Sequence, residues 1–190
     1  TLLCDPADYA GALVELQSGG ISPETRRRLA VKGFTATAHY DAAISAYLSG
    51  SEALRLELFP VQKLRYGENP HQQATLYTYE PGAGPLGGKV LQGKELSYNN
   101  LLDLDAAWKA AVSYAEPGVC IVKHLSPCGI ATAPALVDAY QAALASDPVS
   151  AYGGVIACNR PLDEATAAAI KPLFVECIAA PGFSPEAREI

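Results

Sequence analysis

The sequence predicts an α/β fold in which helices cover a largely parallel sheet, and three observations carry that reading. Apolar runs at 119–122 and 155–158, and an apolar segment at 175–179 interrupted by Glu176, alternate with stretches of helical period. Strands buried on both faces read this way, and parallel strands are joined by right-handed helical crossovers. Ahead of residue 58 the texture is different, with long helical segments opened by Asp-Pro and Ser-Pro pairs. Hydrophobic residues at 49% and charged residues at 18% of 190 describe a folded chain with a core.

Taken in order, Leu2, Leu3 and Cys4 read as the tail of a buried strand, so the chain is expected to begin inside a domain. Asp5-Pro6 supplies a cap with proline at the first helical position, and Gly19-Gly20 closes that helix. Ser22-Pro23 opens a second helix reaching about residue 48. In it Leu29, Phe34, Thr37, Tyr40, Ile44 and Tyr47 recur at three- and four-residue steps, which predicts one buried stripe. A domain boundary is expected near 50–60, giving units 1–57 and 58–190. Strands are predicted at 76–79 and 89–91 around a Gly/Pro-rich turn at 82–88. Asn99 or Asn100 is expected to cap a helix carrying Leu101, Leu104, Trp108 and Ala111. Strand 119–122, helix 134–145, strand 155–158, helix 164–173 and strand 175–179 follow. Ser184-Pro185-Glu186 signals one more helix, so the chain is expected to end inside a domain as well.

The charge of −6 and the absence of any basic run longer than Arg26-Arg27-Arg28 exclude a broad nucleic-acid surface. No apolar stretch approaches the roughly 20 residues needed to cross a bilayer, and the first residues lack the basic-then-apolar layout of a signal peptide. A cytoplasmic location is expected. Five dispersed cysteines read as reduced thiols. His124 and Cys128 form the one close His/Cys pair and no C-x-x-C occurs, so no metal is expected.

Chemistry is sought outside the carboxyl ends of the strands. Lys123-His124 directly follows 119–122 and leads into Ser126-Pro127-Cys128-Gly129. A fixed cation beside a group that carries protons near neutrality suits acyl transfer. The plainer alternative is a lysine paired with a carboxylate and a histidine bonded to a loop carbonyl. Residues 65–72 gather Arg65, Tyr66, Asn69 and His71, a set fitted to phosphate and also to an ordinary Asn-Pro turn. Gly153-Gly154 would let backbone N–H groups approach a ligand, or would form a tight turn. Glu176 is a carboxylate in an apolar strand, and such a group needs a partner if buried. A third idea makes Cys128 a nucleophile beside His124.

The strings RYGENPHQ (65–72), SYNNLLDLDAAW (97–108), KHLSPCG (123–129), DPVSAYGG (147–154) and VECIAAPGFSPEA (175–187) occur in this order. Together they resemble the bifunctional AICAR transformylase/IMP cyclohydrolase family of purine biosynthesis. DPADY (5–9) and residues 24–48 are similar to the end of that family's cyclohydrolase domain. The resemblance implies the helical end of a methylglyoxal-synthase-like cyclohydrolase domain over 1–57. It implies a cytidine-deaminase-like α/β/α subdomain, the first half of the transformylase, over 58–190.

Further implications concern activity. Lys123 and His124 match the family's catalytic pair, while Arg65, Tyr66, His71, Asn100, Gly153 and Glu176 match substrate-binding positions. The implied substrates are AICAR and 10-formyltetrahydrofolate, a cosubstrate, with no bound cofactor and no metal. A homodimer is implied, with no nucleic-acid or membrane partner. The family's reactions are formyl transfer to the 5-amino group of AICAR and cyclohydrolase closure of the product to IMP, and the isolated chain is expected to complete neither. The competing class is a purine-ribonucleotide-binding or scaffolding module without chemistry.

Overall fold

The computed structural model describes residues 1–50, 54 and 56–190. The expected boundary at 50–60 includes residues 51–53 and 55, which lie outside the described residues. The chain divides into two compact units, Thr1–Leu56 and Glu57–Ile190.

In the first unit, the Asp5 carboxylate accepts from the Ala7 amide and opens a 3-10 turn, Pro6–Asp8, that runs into α1, Tyr9–Gln17. Ser22 caps α2, Pro23–Ser49, by accepting from the Thr25 amide, with proline in the first turn. Residues 2–4 form no strand and Leu2 lies exposed. The predicted stripe of α2 is buried only where it starts. Leu29 is 1% exposed, whereas Phe34, Tyr40 and Tyr47 are 75%, 68% and 87% exposed. Helical period identifies the apolar face of a helix, but burial requires a partner, and among the described residues of α2 only Leu29 and Gly33 are fully buried.

The second unit opens with an antiparallel pair, β1 (Phe59–Lys63) and β2 (Thr75–Thr78). Residues 89–91 are not a strand. The partner of β2 lies before it in sequence, and the Gly/Pro-rich stretch forms a 3-10 turn, Pro85–Gly87. Helix α3, Tyr98–Val112, is capped by Ser97 rather than by Asn99 or Asn100. The Ser97 hydroxyl accepts from the Asn100 amide, and the Asn100 side-chain oxygen accepts from the Ser97 amide at 2.9 Å. This is a capping box in which asparagine takes the place usually held by Glu or Gln.

A four-stranded sheet follows in the order β4-β3-β5-β6, formed by β3 (Gly118–Lys123), β4 (Ser126–Thr132), β5 (Gly154–Cys158) and β6 (Val175–Ala179). The sheet is mixed, which corrects the expectation of a largely parallel one. Strand β3 runs antiparallel to both β4 and β5, and only β5 and β6 are parallel. A continuous apolar run reports cover on both faces, and that cover is indifferent to strand direction. Helix α3 lies against Cys120, Val122, Val155 and Ala157 through Leu104, Ala107 and Ala111. Helices α4 (Leu136–Ser146) and α5 (Glu164–Ile170) cover Val119, Ile121, Ile156 and Cys158 on the other face. Each fully buried Val or Ile contributes roughly 1.5–3 kcal/mol. Strand β4, absent from the prediction, is an edge strand and therefore tolerates Pro127. A last helix, α6 (Pro185–Glu189), is capped by Ser184 as expected. No described helix is long and apolar enough to cross a membrane.

Candidate active site at one end of the mixed sheet

Strand direction decides which groups meet. Because β3 is antiparallel to β5, its carboxyl end adjoins the amino ends of β5 and β6, so the polar residues gather there and not at the carboxyl ends of all three strands. Val122 faces Val155, and Gly154 faces Val175. Lys123 and Glu176 thus stand on strands about two sheet spacings, or ~10 Å, apart.

Lys123 and Ser126 close β3 and β4 as a hairpin with His124 and Leu125 at its tip. Both tip residues are left-handed, with φ of 53° and 67°. Positive φ at both central positions defines a type I′ turn, normally built from Asn and Gly. For His and Leu that backbone costs roughly 1–2 kcal/mol per residue. The Leu125 amide at this tip donates to the Asp103 carboxylate of α3 at 2.7 Å. Among the described residues the exposed His124 imidazole makes no hydrogen bond or ion pair.

The Lys123 ammonium donates to the Tyr152 carbonyl, so it pairs with main chain and not with the carboxylate of the plainer alternative. It also lies beside Gly153, whose φ is +70° and where an added Cβ would sit 3.4 Å from the Lys123 Nζ. The expectation that paired glycines would offer free amides is not met. The Gly153 amide donates to the Phe174 carbonyl at 2.8 Å and the Gly154 amide to the Ala151 carbonyl at 3.0 Å. Upstream, the Asp147 side chain accepts from the Ser150 amide, and hydrogen bonds from Ser150 hold its carboxyl below the ordinary range.

Glu176 is not buried. Pairing steps from Gly154–Val175 to Val155–Cys177, which leaves Glu176 as the extra residue of a bulge in β6. Bulges re-aim side chains, and this carboxylate meets the Arg65 guanidinium at 3.8 Å. Arg65 also donates to the Tyr66 hydroxyl at 3.3 Å and stacks 5.0 Å from the Tyr66 ring centroid. The loop carrying both is tied to the start of α3. The Arg65 amide donates to the Leu96 carbonyl, the Tyr98 amide to the Tyr66 carbonyl, and the Asn99 side chain to the Glu68 carbonyl.

Two groups therefore form, Lys123 with Gly153 and Arg65 with Tyr66 and Glu176, on neighbouring strand ends. His71 sits exposed in the 69–72 turn, and Asn100 has its side-chain oxygen committed to Ser97. Sequence reasoning missed the Tyr152 carbonyl, which carries no residue-type signal, and Asp103, which reads as a solvated helix carboxylate. Among the described residues no cluster of three metal-ligating side chains occurs. The Cys128 thiol donates to the Ile121 carbonyl at 3.5 Å, and burial raises its pKa, which disfavours the thiolate a nucleophile needs.

The AICARFT/IMPCHase bienzyme model matches residues 1–190. The chain is 49% identical over 202 residues to the bifunctional purine biosynthesis protein PurH of Acidithiobacillus ferrooxidans, an alignment covering all of this chain and 39% of that protein. It is 49% identical over 196 residues to PurH of Trichormus variabilis and 48% over 203 to PurH of Myxococcus xanthus, covering 38% and 39% of them and again all of this chain. The chain thus spans about two-fifths of the length of these curated relatives. A family-wide match joined to near-half identity along the whole sequence has one consequence: this chain belongs to the AICARFT/IMPCHase bienzyme family.

Proposed function

We propose that these residues supply the Lys-His part of a formyl-transfer site acting in purine biosynthesis, moving a formyl group from 10-formyltetrahydrofolate to the 5-amino group of AICAR. The observation that carries the reading is the convergence of Lys123, Gly153, Glu176 and Arg65 at one end of the sheet. Arg65 and Tyr66 suit a nucleotide phosphate, since a guanidinium binds such oxygens bidentately. Glu176, aimed out of β6 by its bulge, suits ligand hydroxyls. His71 adds a further imidazole on the same loop. A substrate contact from Asn100 would come from its amide N–H, because its oxygen is occupied.

The AICAR amine is a weak nucleophile, conjugated with its ring and carboxamide. As its nitrogen bonds the formyl carbon, His124 takes up the proton released, directly or through the carboxamide. Lys123 stabilises the charge growing on the formyl oxygen. Collapse breaks the bond from the formyl carbon to the folate nitrogen, which leaves with a proton delivered by Lys123. The products are formylated AICAR and tetrahydrofolate.

The test is His124→Ala in the complete polypeptide that carries these residues, assayed with AICAR and 10-formyltetrahydrofolate. A fall in kcat of about 10²-fold or more with AICAR binding retained is expected. Near-normal turnover would overturn the assignment. Calorimetric titration of AICAR into the chain, with and without folate, separates transfer from the non-catalytic binding alternative.

A further inference from the structure

We propose that Asp103 is a positioning residue that straps the hairpin tip bearing His124, so that an α3 carboxylate sets the imidazole for formyl transfer. The inference rests on the functional reading given above. In a two-residue hairpin the fourth residue's amide closes the turn onto the first residue's carbonyl, and the third residue's amide is left pointing out of the ladder. Here that amide belongs to Leu125, and Asp103 accepts it at 2.7 Å across 22 residues of sequence. The tip is built from two residues that disfavour positive φ, with no glycine to relax into it. Charge-assisted acceptance of an N–H by a carboxylate is among the stronger hydrogen bonds, and it holds the conformation that side-chain preference opposes. The strap originates on α3, whose Leu104, Ala107 and Ala111 are packed on the sheet. The His124 backbone is thereby tied to a helix that the core holds still, although the imidazole itself makes no polar contact among the described residues.

Asp103 touches no reacting atom in this scheme, so its removal has to act through His124. In the complete polypeptide, Asp103→Ala is expected to lower kcat for formyl transfer at least ~10-fold, with KM for AICAR changing less than ~3-fold, because misplacing a catalytic group costs turnover first. Asp103→Asn keeps an acceptor oxygen and is expected to retain most activity. Leu125→Gly placed in the Asp103→Ala background is expected to restore turnover, since glycine adopts the left-handed backbone without a strap. A purely structural role for Asp103 would predict no such rescue. A readout independent of catalysis is amide exchange in the 190-residue chain. Leu125 is expected to exchange at least ~10-fold faster in Asp103→Ala, with the His124 ring resonances shifted. Unchanged kcat in Asp103→Ala, in an assay where His124→Ala is crippled, overturns the inference, as does unchanged exchange at Leu125. If His124→Ala is itself harmless, the functional reading fails, and the strap is still judged by Leu125 exchange.

Discussion

Gly129 lies on β4, four residues past Leu125 of the hairpin tip, and Gly129→Ala is the most demanding single-atom test of how that strand is held. An alanine Cβ there would lie 1.9 Å from the Ala143 carbonyl oxygen, 2.7 Å from its carbon and 3.3 Å from its Cα. Each of these is α4 backbone, so no rotamer change relieves the overlap. Side-chain carbons do not approach oxygen closer than 3.0 Å, and α4 must lift off β4 by at least about 1 Å. That movement opens contacts of Leu136, Ala139, Tyr140 and Ala143, all buried against the sheet. A gap of this size forfeits a quarter to a half of each dispersion well. Overpacking of well-packed cores costs about 1–3 kcal/mol, and with backbone on both sides the upper end, about 3 kcal/mol, is expected. At a urea m-value of about 2 kcal/mol/M the midpoint falls by about 1.5 M. Trp108 is the sole tryptophan and, half-buried on α3, packs against the core between that helix and the sheet, so its fluorescence reports this unit. A midpoint within about 0.3 M of the parent at unchanged m would refute the claim that α4 and β4 are in rigid apposition.

Two other predictions concern the frame around the site. Asn159 is buried, accepts from the Gly118 amide at 2.7 Å and donates to the Tyr114 and Glu116 carbonyls at 2.9 and 2.8 Å. Asn159→Ala strands those main-chain groups and is expected to cost about 3 kcal/mol, checked by the Trp108 urea midpoint and by faster exchange of the Gly118 amide. In the first unit, hydrogen bonds from Lys32 depress the carboxyls of Asp5 and Asp8, and one from Thr25 depresses that of Glu15. A depressed folded-state pKa gives stability that is present above the unfolded values of 3.8 and 4.5 and is lost as pH falls through the folded ones. Protection of the α1 amides is therefore expected to fall in acid below about pH 4. Asp8→Asn should flatten that dependence, and an unaltered acid profile in the variant would refute the linkage.

Local chemistry was legible in the sequence, and relations between distant segments were not. Ser22-Pro23 and Ser184-Pro185 announced helices because a cap is a contact within four residues, and both caps form as read. The apolar runs at 119–122, 155–158 and 175–179 fall in strands for the same reason, since they need only cover on two faces. The second hairpin went unread because its tip is His-Leu, a pair with no turn propensity, held by an aspartate on another element. Lys123, His124, Arg65 and Glu176 stood out by residue type. The contacts of Lys123, Arg65 and Glu176 run to a carbonyl, to a bulge and to a loop, features that no residue letter encodes.

The strand direction missed in the sequence is also what lets the site form. Were β3 parallel to β5, its carboxyl end would lie at the far end of the sheet from Gly153, one strand length or roughly 17 Å away. A lysine side chain spans far less than that. Turned antiparallel by the hairpin into β4, β3 delivers Lys123 beside Gly153 on the next strand, while the parallel β6 starts at the same level with Glu176 bulged toward Arg65. One tight turn thus does two jobs: it reverses the chain onto the edge strand and it presents His124 next to the lysine. On the function proposed above, a change that shifts this turn should alter strand pairing and formyl transfer together, whereas one at Arg65 or Glu176 should alter AICAR affinity and leave the hairpin amides protected.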